Sequence, residues 1–414
     1  MTASPAAWKP APARGFFALA LALTCLAALP ACGPKETGTI LPGPPQQGKN
    51  YDRPLPPGAS ALVKITDPAM IPDFTPACRD RRGLAVAVAR SLNYLSKPSS
   101  RTFFPVADIS HQRVVATLED FRELLARDLP AEAMAEEIRR RYDVYMSIGC
   151  DDRGTVLYTG YYTPIFRASP KRTAEFRYPL YRQPDDLVKA KDGRILGRQT
   201  PDGRIVKYPP RKLIEQSDHL AGQELVYLAD RFDVYIAHVQ GSARLRMPDG
   251  EVITVGYAAN NGWEYNSVGR ELVRDGKVPA SGLSLQAMRE HFRKHPEQIE
   301  DYTWRNPRFV FFTASQGAPR GSLNEPVTPW RSIATDKAIF PRAALTMIDT
   351  PLPQIQGRTV GLAPYRGLAL DQDTGGAIRA PGRCDVYMGE GAAAGELAGR
   401  TYQEGKLYYL FIKE

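Results

Sequence analysis

The most unusual polar stretch of the chain runs Leu370-Asp371-Gln372-Asp373-Thr374-Gly375-Gly376-Ala377-Ile378-Arg379, followed closely by Arg383-Cys384-Asp385-Val386-Tyr387. Carboxyl groups beside paired glycines suit proton transfer, because an acid can protonate a leaving group while the glycines admit a ligand or a second backbone. If the first segment is a strand, Asp371 and Asp373 share one face, since side chains two apart point the same way. Asp385 opens a short β-like run and would project from a strand end into a cleft. By spacing alone, these three acids serve equally well as turn or capping residues. Competing chemistries find no support: there is no G-x-S-x-G, no phosphate loop and no dinucleotide fingerprint. His291 and His295 stand i, i+4 without the Glu of a zinc-protease helix, so they read as helix surface and no metal is expected.

Strands and turns must position those acids. From Gly154 onward, VLYTGYYTPIF, GQELVYLAD, FDVYIAHVQG, ARLRMPDGEVITVGYAA and PRFVFFTAS are short β-branched and aromatic runs punctuated by Gly, Pro, Asp and Asn. This texture predicts sheets or barrels, with each run a strand. Met247-Pro248-Asp249-Gly250 lies between two alternating runs and predicts a hairpin turn. Upstream, apolar residues at three- and four-residue spacing predict helices over 82–95, 111–127 and 130–147, the last starting at Pro130. One further helix is predicted over 283–293.

The 414 residues are 43% hydrophobic and include 20 Tyr and 15 Phe, which excludes a mostly disordered chain. At about 100–200 residues per domain, two or three domains are expected. The net charge of +9 is spread along the chain, and its longest basic run is Arg139-Arg140-Arg141. Without clustering or a recognisable motif, nucleic acid is not an expected partner; an acidic polymer or a membrane surface fits a diffuse positive surface.

Lys9 and Arg14 precede the apolar run GFFALALALTCL, too short to span a membrane and suited to a secretory signal. It leads into Leu29-Pro30-Ala31-Cys32, which resembles a bacterial lipobox and implies lipidation of Cys32 after removal of residues 1–31. By resemblance to Gram-negative lipoproteins, the absence of Asp after Cys32 implies the periplasmic face of the outer membrane; cleavage without lipidation would leave a soluble periplasmic or secreted protein. Loss of the leader lowers the charge to +7. Residues 32–76 are rich in Pro and Gly and predict a flexible tether. Cys78, Cys150 and Cys384 remain in an oxidising compartment, and Cys78 with Cys150 is the favoured pair if one disulfide forms.

Several motifs in order resemble the membrane-bound lytic transglycosylase A family. They are Gly160-Tyr161-Tyr162-Thr163-Pro164, His238-Val239-Gln240-Gly241-Ser242, the stretch YAANNGWEYNSVGR from Tyr257 to Arg270, and Asn306-Pro307 before Phe309-Val310-Phe311-Phe312. The C-terminal part resembles the associated three-aspartate domain, with Asp336, Asp373 and Asp385 at the matching positions. The resemblance departs at Ala243 and Ala380, where glycines are usual. It implies a mainly β fold: a double-psi β-barrel from 77–163 plus 304–414, a second β-domain inserted at 164–303, several N-terminal helices, and a groove between the domains. It further implies cleavage of the β-1,4 bond between N-acetylmuramic acid and N-acetylglucosamine, with a 1,6-anhydro product and no cofactor. On it, Asp385 is the general acid/base, with Asp373 and Asp336 supporting. Tyr162, Thr163, Gln240, Ser242, Gly375 and Gly376 are candidate glycan contacts, and Tyr257 and Trp263 are either core aromatics or sugar platforms. Expected partners are peptidoglycan strands and the outer membrane, with the chain a monomer that joins cell-wall enzyme complexes. A two-carboxylate muramidase and a non-catalytic peptidoglycan-binding lipoprotein are the alternatives.

Overall fold

The computed structural model describes residues 48–414 apart from 191–192, 281–282 and 358. The expected leader, Cys32 and the first part of the tether lie outside the described residues. Residues 48–76 are not a free tether. Tyr51 is buried with Cys150 and Leu157, Lys49 pairs with Glu404 at 3.0 Å, and strand β1 (Leu62–Lys64) pairs with β2 (Tyr142–Ser147). Proline and glycine spacing marked this segment as unable to form long regular elements, but its few apolar residues still find a barrel wall to cover.

Helices α1 (Thr75–Arg79), α2 (Leu84–Leu95), α3 (His111–Ala126) and α4 (Ala131–Arg141) form the N-terminal layer. The Ser110 side chain accepts from the Arg113 amide to start α3, and Val114, Leu118, Phe121 and Leu124 make its buried stripe. The helix predicted over 130–147 stops at Arg141, and 142–147 is β2. Aromatic and β-branched Tyr142-Asp143-Val144-Tyr145 pairs antiparallel with β17 (Tyr402–Ile412), and that ladder overrides the helical spacing. The Arg139–Arg141 triplet ends α4, where Arg140 and Arg141 both bond Glu137 at 2.6 Å; it is a helix surface.

The chain then enters β3 (Val156–Thr163), leaves for a second domain, and returns through β13 (Ser332–Ala334), β14 (Leu345–Gln356), β15 (Thr359–Asp373), β16 (Arg383–Glu390), α10 (Gly391–Arg400) and β17. Six strands close on themselves in the order β17-β14-β15-β13-β16-β3, with β3 pairing back onto β17. Most pairs are antiparallel, but β13 runs parallel to β15 and β16 parallel to β3. This is the expected mainly β barrel with helices toward the N-terminus. Closure leaves none of these six strands at an edge among the described residues, and Leu345, Met347, Leu370, Val386 and Tyr409 belong to the hydrophobic core they build with the N-terminal helices. Gly160 of β3 lets α10 lie close: a Cβ there would stand 2.7 Å from the Ala398 Cα. Gly160→Ala should therefore cost about 1–3 kcal/mol of stability by overpacking, read as a lower urea midpoint.

Between β3 and β13 the chain builds a second β-domain. Its elements are β4 (Ile165–Ser169), β5 (Tyr178–Tyr181), β6 (Leu187–Lys189), β7 (Ile195–Gln199), β8 (Ile205–Val206), α5 (Arg211–Glu215), β9 (Glu224–Leu228), α6 (Arg231–Gln240), β10 (Ser242–Arg246), β11 (Val252–Asn260), α7 (Val268–Arg274), α8 (Leu285–Lys294), α9 (Ile299–Trp304) and β12 (Val310–Ser315). Six strands run β12-β11-β10-β4-β9-β5, and β6-β7-β8 form a small separate sheet. The Met247–Gly250 hairpin joins β10 to β11 as expected, with Gly250 at φ 90°. β12 pairs with β11, so the insert's sheet extends past residue 304, where the barrel segment was expected to resume.

The run FDVYIAHVQG is helix α6, not a strand. Asp230 caps it by accepting from Phe232 and Asp233, and Gly241 ends it at φ 71°. The helix is buried on nearly every side, so its apolar residues are continuous and carry no 3.6-residue signature. Ala243 sits fully buried in β10 within the insert's core. Ala380 takes φ 66°, a conformation that favours glycine.

Candidate active site

The barrel and the insert line one groove of about 2210 Å³. Small-molecule sites hold roughly 300–1,000 Å³, so a groove this large suits a polymer. Its wall carries Asp336, Asp373 and Asp385 together, brought there by three barrel strands. β16 is the keystone. Asp385 lies opposite Ala334 of β13 on one side and Thr159 of β3 on the other.

The three acids differ in how they are held. Asp336 is buried, and its carboxylate accepts from the amides of Ala338 and Ala380, both at 3.1 Å. It thereby fixes the loop in which Ala380 holds its left-handed conformation. The Asp373 carboxylate accepts from the amides of Ser322 and Thr374, each at 2.8 Å, and so clamps the start of the Gly375-Gly376 loop. Burial pushes its pKa up against those two amides. Among the described residues, Asp385 accepts from the Thr159 hydroxyl alone. Although half-buried by exposure, it sits where strands and groove wall exclude enough water that desolvation is the largest influence on it. That raises its pKa, Arg383 and Thr159 pull it down, and Asp373 pushes it further up.

Asp371 has a separate role. It is fully buried, accepts from Thr335 at 2.7 Å and Tyr409 at 2.8 Å, and pairs with the Lys337 ammonium. Burial lowers the Lys337 pKa against that carboxylate's pull. The register between β13 and β15 shifts between Ile333 and Ala334, which places Asp371 within the barrel's polar network and Asp373 at the groove.

Of the expected glycan contacts, Thr163, Gln240, Ser242, Gly375 and Gly376 line the groove and Tyr162 does not. Tyr162 is buried in the barrel core against Gly395 of α10, facing the other side of β3. Thr163 and Ser242 are themselves buried. Thr163 bonds the Tyr387 hydroxyl at 3.0 Å and Ser242 at 3.4 Å, while Gln240 accepts from the Tyr162 amide at 3.1 Å. These groups tie the insert to the barrel beneath the groove. Tyr257 is 49% exposed and lines the groove, whereas Trp263 is held by the Tyr208 carbonyl at 2.8 Å with Lys207 over its ring.

Residue-type reasoning missed Thr159 and Tyr161. Tyr161 lines the groove with its hydroxyl buried and electrostatically coupled to Asp373 and Asp385. Period-two alternation along β3 was the available signal, because Thr159, Tyr161 and Thr163 share a face.

The cysteines are free: Cys78, Cys150 and Cys384 are each buried and unpaired, against the expectation of a bridge. They lie in α1, in the Tyr51 cluster and in β16, and burial pushes the Cys78 thiol up to about 12. His291 bonds Gln298 at 3.0 Å, and among the described residues no acid, His and Cys cluster could hold a metal.

A closed six-stranded barrel with an inserted β-domain, and a polymer-sized groove bearing partly desolvated carboxyl groups, suit an enzyme that acts on a polymer. Comparison with known proteins makes the family specific. The model of the MltA specific insert domain matches residues 157–313, and that of the 3D domain matches 331–411. The membrane-bound lytic murein transglycosylase A of Escherichia coli K12 is 32% identical over 271 residues, 65% of this chain and 69% of that protein. The one of Vibrio cholerae is 30% identical over 268 residues, 64% and 68% of the two chains. The crystal structure of a membrane-bound lytic murein transglycosylase from Agrobacterium tumefaciens superposes with a TM-score of 0.71 at 26% identity, covering 85% of this chain and 98% of that one. E. coli MltA with bound chitohexaose gives 0.66 at 25% identity over 90% and 98%. The chain belongs to the membrane-bound lytic murein transglycosylase A family.

Proposed function

We propose that the chain is a lytic transglycosylase that cleaves the β-1,4 bond between N-acetylmuramic acid and N-acetylglucosamine of peptidoglycan, with Asp385 as its single acid and base. The relatives named for this activity, and a related enzyme crystallised with a chito-oligosaccharide, support the substrate class. The observation that carries the residue assignment is the difference among the three acids. Asp336 and Asp373 each hold two backbone amides, whereas Asp385 accepts one hydroxyl, and desolvation raises the pKa of Asp373 and Asp385 alike. An acid that begins protonated can protonate the leaving glycosidic oxygen.

The carboxylate left on Asp385 then takes the proton from the C6 hydroxyl of the muramic acid as that oxygen attacks its own anomeric carbon. The tethered nucleophile has a high effective concentration and needs no second carboxylate to activate water. The products are a 1,6-anhydro end and a new N-acetylglucosamine 4-hydroxyl, and Asp385 is again protonated. Asp373 and Asp336 position the loops around it, and Tyr257 offers a face for a sugar ring.

Digestion of sacculi with protein lacking residues 1–32, followed by mass spectrometry, tests the reaction. Anhydro ends are expected; reducing ends heavier by one water would make the protein a hydrolase, and no release would make it a binding lipoprotein. The Thr159 hydroxyl lowers the Asp385 pKa, so Thr159→Val should raise it. The alkaline limb of kcat/KM should move to higher pH, because the protonated form then persists longer. We further propose that Cys32 is lipidated and holds the protein at the periplasmic face of the outer membrane as a monomer. No described helix is long and apolar enough to cross a membrane. Radiolabelled palmitate incorporation, abolished in Cys32→Ala, tests the anchor.

A further inference from the structure

Most arginines of the molecule hold a carboxylate: Arg305, for example, reaches Glu271, Asp275 and Asp301. Several in the groove, among them Arg270, Arg320 and Arg342, have no carboxylate in ion-pair distance among the described residues, and two more such arginines flank the Gly375-Gly376 loop. Arg308 lies just before β12 and donates to the Trp263 carbonyl at 3.2 Å, with no carboxylate in ion-pair distance among the described residues. Its guanidinium rests against Gly376, where a Cβ would stand 3.1 Å from the guanidinium carbon. Arg379, from the far side of the same glycine loop, is exposed to the groove and makes no hydrogen bond or ion pair among the described residues. The two guanidiniums repel one another, and burial together with Arg379 lowers the Arg308 pKa. Glu264, the acid that acts on Arg308, is exposed and forms no ion pair with it. Tyr257, the exposed groove aromatic, neighbours Arg308 as well.

Two like charges flanking one loop, with no carboxylate in ion-pair distance of either among the described residues, are costly unless an anion joins them. Guanidinium forks match carboxylates in geometry, and an aromatic face beside them suits a sugar ring. We infer that Arg308 and Arg379 form a carboxylate subsite that binds a stem-peptide carboxyl group of the glycan strand while Tyr257 carries the sugar. This rests on the peptidoglycan reading above and adds to it a preference for strands that still bear their peptides. Gly376 has a defined part in it, since a side chain there would displace Arg308.

The test compares kcat/KM on peptide-bearing glycan strands with that on strands stripped of peptide by an amidase. Stripping leaves a free lactyl carboxylate on each muramic acid, so the two carboxylate sources are separated. The wild-type protein should favour peptide-bearing strands about tenfold. Arg379→Gln should lower that ratio about five- to tenfold, chiefly through KM, and 0.5 M salt should do the same by screening. Because Arg308 is partly buried, Arg308→Gln is read only alongside a wild-type melting temperature, and exposed Arg379→Gln decides if it misfolds. A ratio near one in the wild type, or one unchanged in Arg379→Gln, overturns the subsite. Preference for stripped strands, lost in Arg379→Gln, overturns the stem-peptide assignment in favour of the lactyl group. Absence of anhydro products from both strands overturns the underlying transglycosylase reading instead.

Discussion

Asp385→Asn should lose activity by about 10³-fold in kcat while folding normally and gaining stability on the order of 1 kcal/mol at neutral pH. The loss follows because the amide cannot donate the proton the leaving oxygen needs, nor accept one from the C6 hydroxyl. The gain follows from linkage. Desolvation raises the Asp385 pKa in the fold, so the folded protein binds a proton that the unfolded chain has released. Stability from this group is present below the unfolded carboxyl pKa and is lost as pH rises through the raised folded value. Above that window a charged carboxylate is confined on a strand between β13 and β3, and asparagine removes the charge with little change in shape. Anhydro-product release and thermal melts across pH read both effects. Near-normal turnover in a folded Asp385→Asn protein would move the acid to Asp373, whose pKa burial also raises.

Asp371→Ala should destabilise the barrel by about 3–5 kcal/mol. It removes the partner of the buried Lys337 ammonium and the acceptor for Thr335 and Tyr409 in a fully buried site. Lys337→Met alone strands the carboxylate and should cost a similar amount. The double substitution Asp371→Leu with Lys337→Met should recover much of the loss, since a fitted apolar pair avoids both desolvation penalties. Urea unfolding of the wild type, Asp371→Leu, Lys337→Met and the double variant gives the coupling energy, and additive single effects would show that the two groups act independently. Because Lys337 also lines the groove, its variants report stability and not activity.

These two aspartates show how far residue type carries. Asp371 and Asp373 look alike in sequence, two apart in an Asp-rich strand, yet one is locked in the barrel and the other lines the groove. The divergence comes from a register shift against β13, a strand nearly forty residues earlier, and no local pattern encodes it. Tyr162 and Thr163 illustrate the opposite case. Alternation along β3 already separates them, and Thr159 and Tyr161 belong with Thr163 on the groove side.

Helix α6 shows where periodicity fails. Its run FDVYIAHVQG is apolar on nearly every side because the insert surrounds it, and strand and buried helix then look the same. The Asp230 cap and Gly241 stop were the local marks that distinguished them. The β2 segment failed in the other direction: four-residue spacing continued past Arg141, but pairing with β17 decided its conformation.

The sequence by itself determined the β-rich texture, the N-terminal helices, the hairpin at Met247–Gly250 and the motifs that mark the family, because each is written in neighbouring residues. Tertiary structure decided how each of the three acids is held. Asp336 and Asp373 are occupied by backbone amides from distant loops, and Asp385 is held by one hydroxyl from a parallel strand more than two hundred residues away. A carboxyl group's proton affinity depends on the water and charge around it, and only barrel closure sets those.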